Sequence, residues 1–114
     1  METYFWIALA VVFLALTWYM KRPDLSPALA RELLSKGALL VDVRSPSEFS
    51  SGHIAGAKNI PVNTLAGRSG ELGGKDRPVI LYCASGTRSA MAKRTLRASG
   101  FSSVHNLGAM SNWS

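Results

Sequence analysis

The chain contains a single cysteine, and the residues around it suit a nucleophile. Cys83 ends the apolar run Val79-Ile80-Leu81-Tyr82 and is followed by Ala84-Ser85-Gly86-Thr87-Arg88-Ser89. From Ser89 to Ser99 the residues read as a helix stopped by Gly100. A thiol at the carboxyl end of a buried strand then faces the amino end of a helix, where unpaired amide N–H groups and the helix dipole favour anions. The thiolate is the reactive form of cysteine. Ala84, Ser85 and Thr87 are small enough to leave the loop amides within reach, and Gly86 permits a tight turn with positive φ. Arg88 adds a positive charge, which is unfavourable at a helix start unless something negative binds nearby. Two plainer readings compete: Cys83 as a small buried hydrophobe, and Arg88 as a solvated first-turn residue. Packing alone has no need of the glycine loop.

The elements that must position this loop can be followed along the chain. Residues 4–20 carry no charge and are almost wholly apolar, with Tyr4, Phe5 and Trp6 at one end and Trp18 and Tyr19 at the other. As a helix the stretch is roughly 25 Å long, the lower end of what crosses a bilayer core, and its terminal aromatics match interfacial anchors. A cleaved leader would begin with positive charge and end in small residues, whereas this one begins with Glu2 and ends in Thr17-Trp18-Tyr19-Met20. A core helix would need a polar face, and there is none. The reading is one membrane span, residues 1–22, ahead of one small domain, residues 23–114. Lys21 and Arg22 follow the span directly, which puts the domain on the cytoplasmic side. A lone free thiol agrees with a reducing compartment.

Within the domain, Ser26 caps a helix with Pro27 at its first position and Gly37 at its stop. Residues 38–43 form a buried strand that ends in charge, at Asp42 and Arg44. Ser45 or Ser47 caps a short helix containing Glu48. A loop over residues 52–57 leads to a brief strand near residues 59–61. Four glycines between residues 67 and 76 read as an irregular surface loop. After the strand at 79–83 and its helix, residues 101–107 form a last strand. Strands alternating with helices point to a parallel α/β sheet, in which ligands bind at the carboxyl ends of strands.

Lys and Arg number 13 against 7 for Asp and Glu, and Glu2 is the only charge before Lys21, so the domain is more basic than the overall +6. That suits small anions or an anionic lipid surface. Nucleic acid is not favoured, because no basic run carries interleaved aromatics and no binding module is recognisable. His53 and His105 stand apart without acidic or thiol neighbours, and Cys-x-x-Cys is absent, so no metal and no cofactor is expected.

The segment Cys83-Ala84-Ser85-Gly86-Thr87-Arg88-Ser89 resembles the active-site loop of the rhodanese homology domain, a sulfurtransferase module. Two further stretches share the likeness: Val41-Asp42-Val43-Arg44-Ser45-Pro46-Ser47-Glu48-Phe49 with Gly52-His53-Ile54-Ala55-Gly56-Ala57-Lys58-Asn59-Ile60-Pro61, and Gly108-Ala109-Met110 with Trp113. The resemblance implies an α/β fold, a small parallel sheet flanked by helices, here preceded by one transmembrane helix. It implies that Cys83 takes a sulfane sulfur from an anionic thiosulfate- or persulfide-type donor and passes it, as a persulfide, to cyanide or a thiol. The amides of Ala84, Ser85, Gly86, Thr87 and Arg88 would form the cradle, with Arg88 steadying the donor. Asp42, Arg44 and Glu48 would support the loops, Arg44 pairing with Asp42 or Glu48, or would line the site. Ala84 departs from members that carry a basic residue early in the loop and prefer thiosulfate.

Two other functions stay open at this stage. One is a non-enzymatic module of the same fold, presenting an interaction surface at the membrane. The other is a small phosphatase or arsenate reductase, whose loops of related architecture place one more residue between cysteine and arginine. The Cys83-to-Arg88 interval is the shorter one, tighter than a phosphoryl group needs. The physiological donor and acceptor and the oligomeric state are not encoded in any of these residues.

Overall fold

A computed structural model describes residues 2–113. Helix α1 (Glu2–Lys21) is followed by α2 (Pro27–Ser35), β1 (Leu39–Asp42), α3 (Pro46–Ser50), β2 (Lys58–Asn59), α4 (Leu65–Arg68), β3 (Val79–Cys83), α5 (Thr87–Ala98) and β4 (Val104–Ala109). The strands form one sheet in the order β2-β1-β3-β4, with every pairing parallel.

β3 is buried along its whole length, and its alternation divides the core. Val79, Leu81 and Cys83 face one layer with Val41, Leu65, Leu72, Ala92 and Leu96. Ile80 and Tyr82 face the other, with Ala30, Leu40, Ile54 and Leu107. The period of two thus puts the thiol under α4 and α5, and puts the Tyr82 ring on the side of α2. Each large aliphatic side chain sealed in these layers contributes about 1.5–3 kcal/mol relative to exposure.

Local chemistry sets the helix starts. The Ser26 hydroxyl accepts the Leu29 N–H at 3.2 Å, with Pro27 in the first turn. Ser45 heads α3 in a reciprocal box: its hydroxyl accepts the Glu48 N–H at 3.3 Å, and its own N–H donates to Glu48 Oε1 at 3.1 Å.

Three expectations are corrected. The glycine-rich stretch is not an irregular surface loop throughout, because α4 and a 3₁₀ turn over Ser69–Leu72 occupy its first half. Leu65 and Leu72, two helical turns apart, are fully buried and pull the segment onto α5. Glu71 holds it there from outside, between Arg68 at 2.7 Å and Lys58 at 3.3 Å. Second, α5 begins two residues before Ser89, at Thr87, with Gly86 as its N-cap at φ +96°. Third, the last strand runs later than residues 101–107 and carries a register shift opposite Leu81 and Tyr82. There the Asn106 side chain accepts the Gly108 N–H at 2.8 Å, and Gly108 takes φ +89°.

α1 has its large apolar side chains exposed, from Tyr4 to Tyr19. Its window Glu2–Tyr19 is long and apolar enough to cross a bilayer. Beyond it, Asp24 fastens the connection to β4: its N–H donates to the Asn106 carbonyl at 2.9 Å and its carboxylate accepts the Asn106 N–H at 2.8 Å.

Candidate active site

Cys83 is wholly buried at the carboxyl end of β3, and the chain leaves it along a turn that brings α5 back over the sulfur. Gly86 makes that return possible, since its left-handed φ of +96° strains any residue with a Cβ. The result is a sulfur facing donors. The Gly86 N–H donates to Sγ at 2.9 Å and the Ser89 N–H at 3.4 Å, while the Ser89 hydroxyl lies 3.4 Å away. That hydroxyl also bonds the Gly86 carbonyl at 3.1 Å, which locks the first turn of α5 around the sulfur.

Two main-chain amides reach the thiol itself. Among the described residues, the amides that reach Sγ are those of Gly86 and Ser89; the N–H groups of Ala84, Ser85, Thr87 and Arg88 make no hydrogen bond to it. Ser89 is therefore a candidate site residue that the reading of the loop as ending at Arg88 leaves out. The signal was present in its hydroxyl and in its place on the first helical turn. Ala84, Ser85 and Thr87 are exposed and form the outer rim.

Arg88 and Glu48 meet across forty residues of sequence. The guanidinium forks onto the carboxylate, Nη1 to Oε1 at 2.7 Å and Nη2 to Oε2 at 3.0 Å. The Arg88 hydrogen bonds, then the Ser45 N–H, lower the Glu48 pKa to about 2. The same pairing raises that of Arg88, with the nearby Cys83 contributing in the same direction. One carboxylate thus caps α3 and holds the arginine of the cysteine loop. A cavity of about 420 Å³ opens beside Arg88, lined by Val43, Ser45, Pro46, Val62 and Thr64 among others. Its far wall comes from the 3₁₀ turn Val62–Thr64, a segment with no chemically conspicuous residue and hence no signal in the sequence.

Asp42 and Arg44 lie apart from the sulfur. Asp42 ends β1 on the face opposite Cys83, two residues from Leu40. Arg44 grips it from the next turn, Nη2 to Oδ2 at 2.7 Å and Nε to both oxygens at 3.1 Å, while the Arg44 N–H donates to Oδ1 at 2.9 Å. The guanidinium also donates to the Gly52 carbonyl at 2.6 Å. Tyr82 accepts the Ile54 N–H at 3.0 Å on its phenol oxygen, and burial pushes its pKa up to about 12. Together these bonds tie the loop after α3 to the sheet. Of the two partners open to Arg44, Asp42 is the one it takes, and Glu48 goes to Arg88.

His53 is exposed, stacked on Phe49 at 3.7 Å between centroids, and His105 bonds Ser103 at 3.1 Å. Among the described residues no group of three His, Cys, Asp or Glu side chains could hold a metal ion.

A buried thiol held by main-chain N–H donors at a helix start, with an ion-paired arginine at its rim, is suited to carrying negative charge on sulfur. Known proteins share this arrangement of chain. The model of the rhodanese-like domain matches residues 26–114. YqhL, an uncharacterised protein of Bacillus subtilis, is 47% identical over 77 residues, 67% of this chain and 60% of that protein. A thiosulfate sulfurtransferase, GlpE of Ectopseudomonas mendocina, is 38% identical over 85 residues, 73% of this chain and 75% of the relative. Among solved structures, the human single-domain sulfurtransferase TSTD1 superposes with a TM-score of 0.71 at 30% identity, covering 81% of this chain and 95% of its own. A rhodanese with anions from E. coli gives 0.64 at 31% identity, covering 67% and 91%. With fold, motif order and cysteine loop all in agreement, the chain belongs to the rhodanese-like domain family.

Proposed function

We propose that this protein is a rhodanese-type sulfurtransferase that carries sulfane sulfur on Cys83 at a membrane surface. The observation that carries the reading is the sulfur itself, buried against the Gly86 and Ser89 N–H groups with no carboxylate bonded to it among the described residues. The Cys83 thiolate attacks the outer sulfur of the donor. A new S–S bond forms, the donor's own S–S bond breaks, and the leaving group departs with the electron pair, as sulfite from thiosulfate or a thiolate from a small persulfide. The acceptor, cyanide or a cellular thiolate, then attacks the terminal sulfur and the Cys83 thiolate is released.

A second sulfur stands about 2.0 Å beyond Sγ, toward the outer part of the loop. The amides of Ala84, Ser85, Thr87 and Arg88, unused by the thiol, are there to stabilise the anionic terminal sulfur. Arg88 steadies the donor's charge by exchanging Glu48 for it, and the cavity beside Arg88 admits donor and acceptor. Asp42 and Arg44 keep the adjoining loop in place. Residues 4–20 tether the domain to a bilayer, and Lys21 and Arg22 place it on the cytoplasmic side.

The test is intact mass spectrometry of the full chain in detergent after incubation with thiosulfate or a thiol persulfide. One added sulfur, removed by cyanide and absent in Cys83→Ser, is the expected result. A folded chain that gains no sulfur from either donor would overturn the assignment.

A further inference from the structure

A second cavity, of about 690 Å³, lies away from Cys83, where α1 meets the domain. Tyr19 lines it from the end of α1, Arg22 and Asp24 from the connection, Lys93 and Arg94 from α5, and Asn106 from β4. Three cations therefore face one carboxylate, and that carboxylate is committed. Asp24 accepts the Asn106 N–H on one oxygen and pairs with Lys93 through the other. Arg22 lies over the Trp18 and Tyr19 rings, 5.7 and 5.1 Å from their centroids. Arg94 is exposed and pairs with no carboxylate among the described residues. Among the described residues, two positive charges are left without a carboxylate partner.

Their place in the chain says what they could meet. Trp18 and Tyr19 close the apolar window, at the level where interfacial aromatics sit among lipid headgroups. Guanidinium forks match the oxygens of a phosphate better than a point charge does. We propose that this cavity binds the phosphate of an anionic phospholipid headgroup through Arg22 and Arg94, docking the domain on the bilayer in one orientation. The proposal rests on residues 4–20 being a membrane tether. It also orients the chemistry. Ala90, Lys93 and Arg94 lie about 140–240° round α5 from Arg88, so a headgroup held on that face leaves the mouth of the sulfur site turned away from lipid.

The experiment uses the full chain in nanodiscs of equal parts phosphatidylcholine and phosphatidylglycerol, with retained lipid read by native mass spectrometry. Phosphatidylglycerol is expected to be retained in preference. Arg94→Gln should lower that retention about fivefold, the effect of one cation at an anionic surface, while sulfur transfer to Cys83 stays at the parental level. Arg97→Gln, an exposed cation on α5 that does not line the cavity, should leave the preference intact. An equal loss in both variants would mean diffuse surface charge and would overturn the site. Inorganic phosphate bound by the detergent-solubilised chain with the same Arg94 dependence, undiminished by short-chain phosphatidylglycerol, would make it a free-anion site instead. An alkaline carbonate wash of membranes separates the two levels. A chain released by the wash loses its tether and the proposal with it, whereas one retained without lipid preference loses the headgroup site alone.

Discussion

Arg44 with Asp42 and Arg88 with Glu48 are both forked guanidinium–carboxylate pairs, yet they sit in different dielectric surroundings. The Arg44 and Asp42 side chains are 7% and 0% exposed, whereas those of Arg88 and Glu48 are 34% and 35% exposed. Removing one partner of the first leaves a charge stranded in the interior. In the second, water or another anion can take the missing partner's place. A pair that cannot open serves as a brace, and a pair that can open at the rim of the cysteine loop serves, under the proposed function, as a binding site held in reserve. The same side-chain chemistry divides into structure and function according to burial.

The brace should break first and cost most. Asp42→Asn removes the charge facing Arg44 while keeping the shape, and the expected loss is about 3–5 kcal/mol, as for other buried pairs stripped of one partner. Urea unfolding followed by circular dichroism measures it. A loss below about 1 kcal/mol would place Arg44 in the class of surface pairs and remove the contrast with Arg88.

The rim pair is expected to show itself chiefly in kinetics, with only the small share in stability of an exposed pair. Arg88→Gln forfeits charge-assisted hydrogen bonds to an anionic donor, each about 1.5–3 kcal/mol, so kcat/KM for thiosulfate should fall roughly ten- to hundredfold. Glu48→Gln preserves the capping box, because glutamine serves at that position too, and frees the guanidinium. KM for thiosulfate should then fall below that of the parent. A Glu48→Gln variant with raised KM would mean that Glu48 positions Arg88 instead of competing with the donor.

Gly86→Ala probes the turn that brings both donors to the sulfur. A Cβ at φ +96° costs about 1–2 kcal/mol, a smaller loss than the broken brace. Its effect on sulfur loading should exceed what the lost stability explains, because the Gly86 N–H itself moves. Loading at the parental rate in a destabilised but folded variant would show that the 2.9 Å contact is dispensable.

What could be read in advance follows the range of the interactions. The strand, loop and helix around Cys83 were legible because residue type and conformation are locally coupled there: an apolar run, a glycine at positive φ, a helix end. Ser26 announced its helix for the same reason, while the cap of α3 stayed open between Ser45 and Ser47 until the structure gave it to Ser45. The partner of Arg44 stayed open between Asp42 and Glu48 because the competitor for Glu48, Arg88, lies forty residues on and is brought near only by the parallel pairing of β1 with β3. Leu72 was hidden by its glycine neighbours, whose composition says loop while two buried leucines say core. The register shift in β4 needs Asn106 to turn back on Gly108, a contact with no periodic trace. Ser89 was overlooked by an expected helix start two residues late, which hid that its N–H still points at the sulfur.

The smallest effect compares the rim pair with an exposed pair that has no site beside it. Glu71 resembles Glu48 in having its pKa lowered to about 2, first by hydrogen bonds from Arg68. For both glutamates the folded value lies below the ordinary 4.5. Their contribution to stability is therefore complete above about pH 4.5 and is lost as the pH falls through the folded value near 2. Glu48→Gln and Glu71→Gln should each flatten the stability profile inside that window, and neither should alter its shape near neutrality. Screening by salt reduces both effects. Sulfur loading then tells them apart: acidification to the folded value near 2 should protonate Glu48, free Arg88 and help a donor that stays anionic there, in the parent and in Glu71→Gln but not in Glu48→Gln, where the guanidinium is already free. A Glu71→Gln variant that changed loading as Glu48→Gln does would show that net surface charge, and not the exchange at Arg88, governs donor capture.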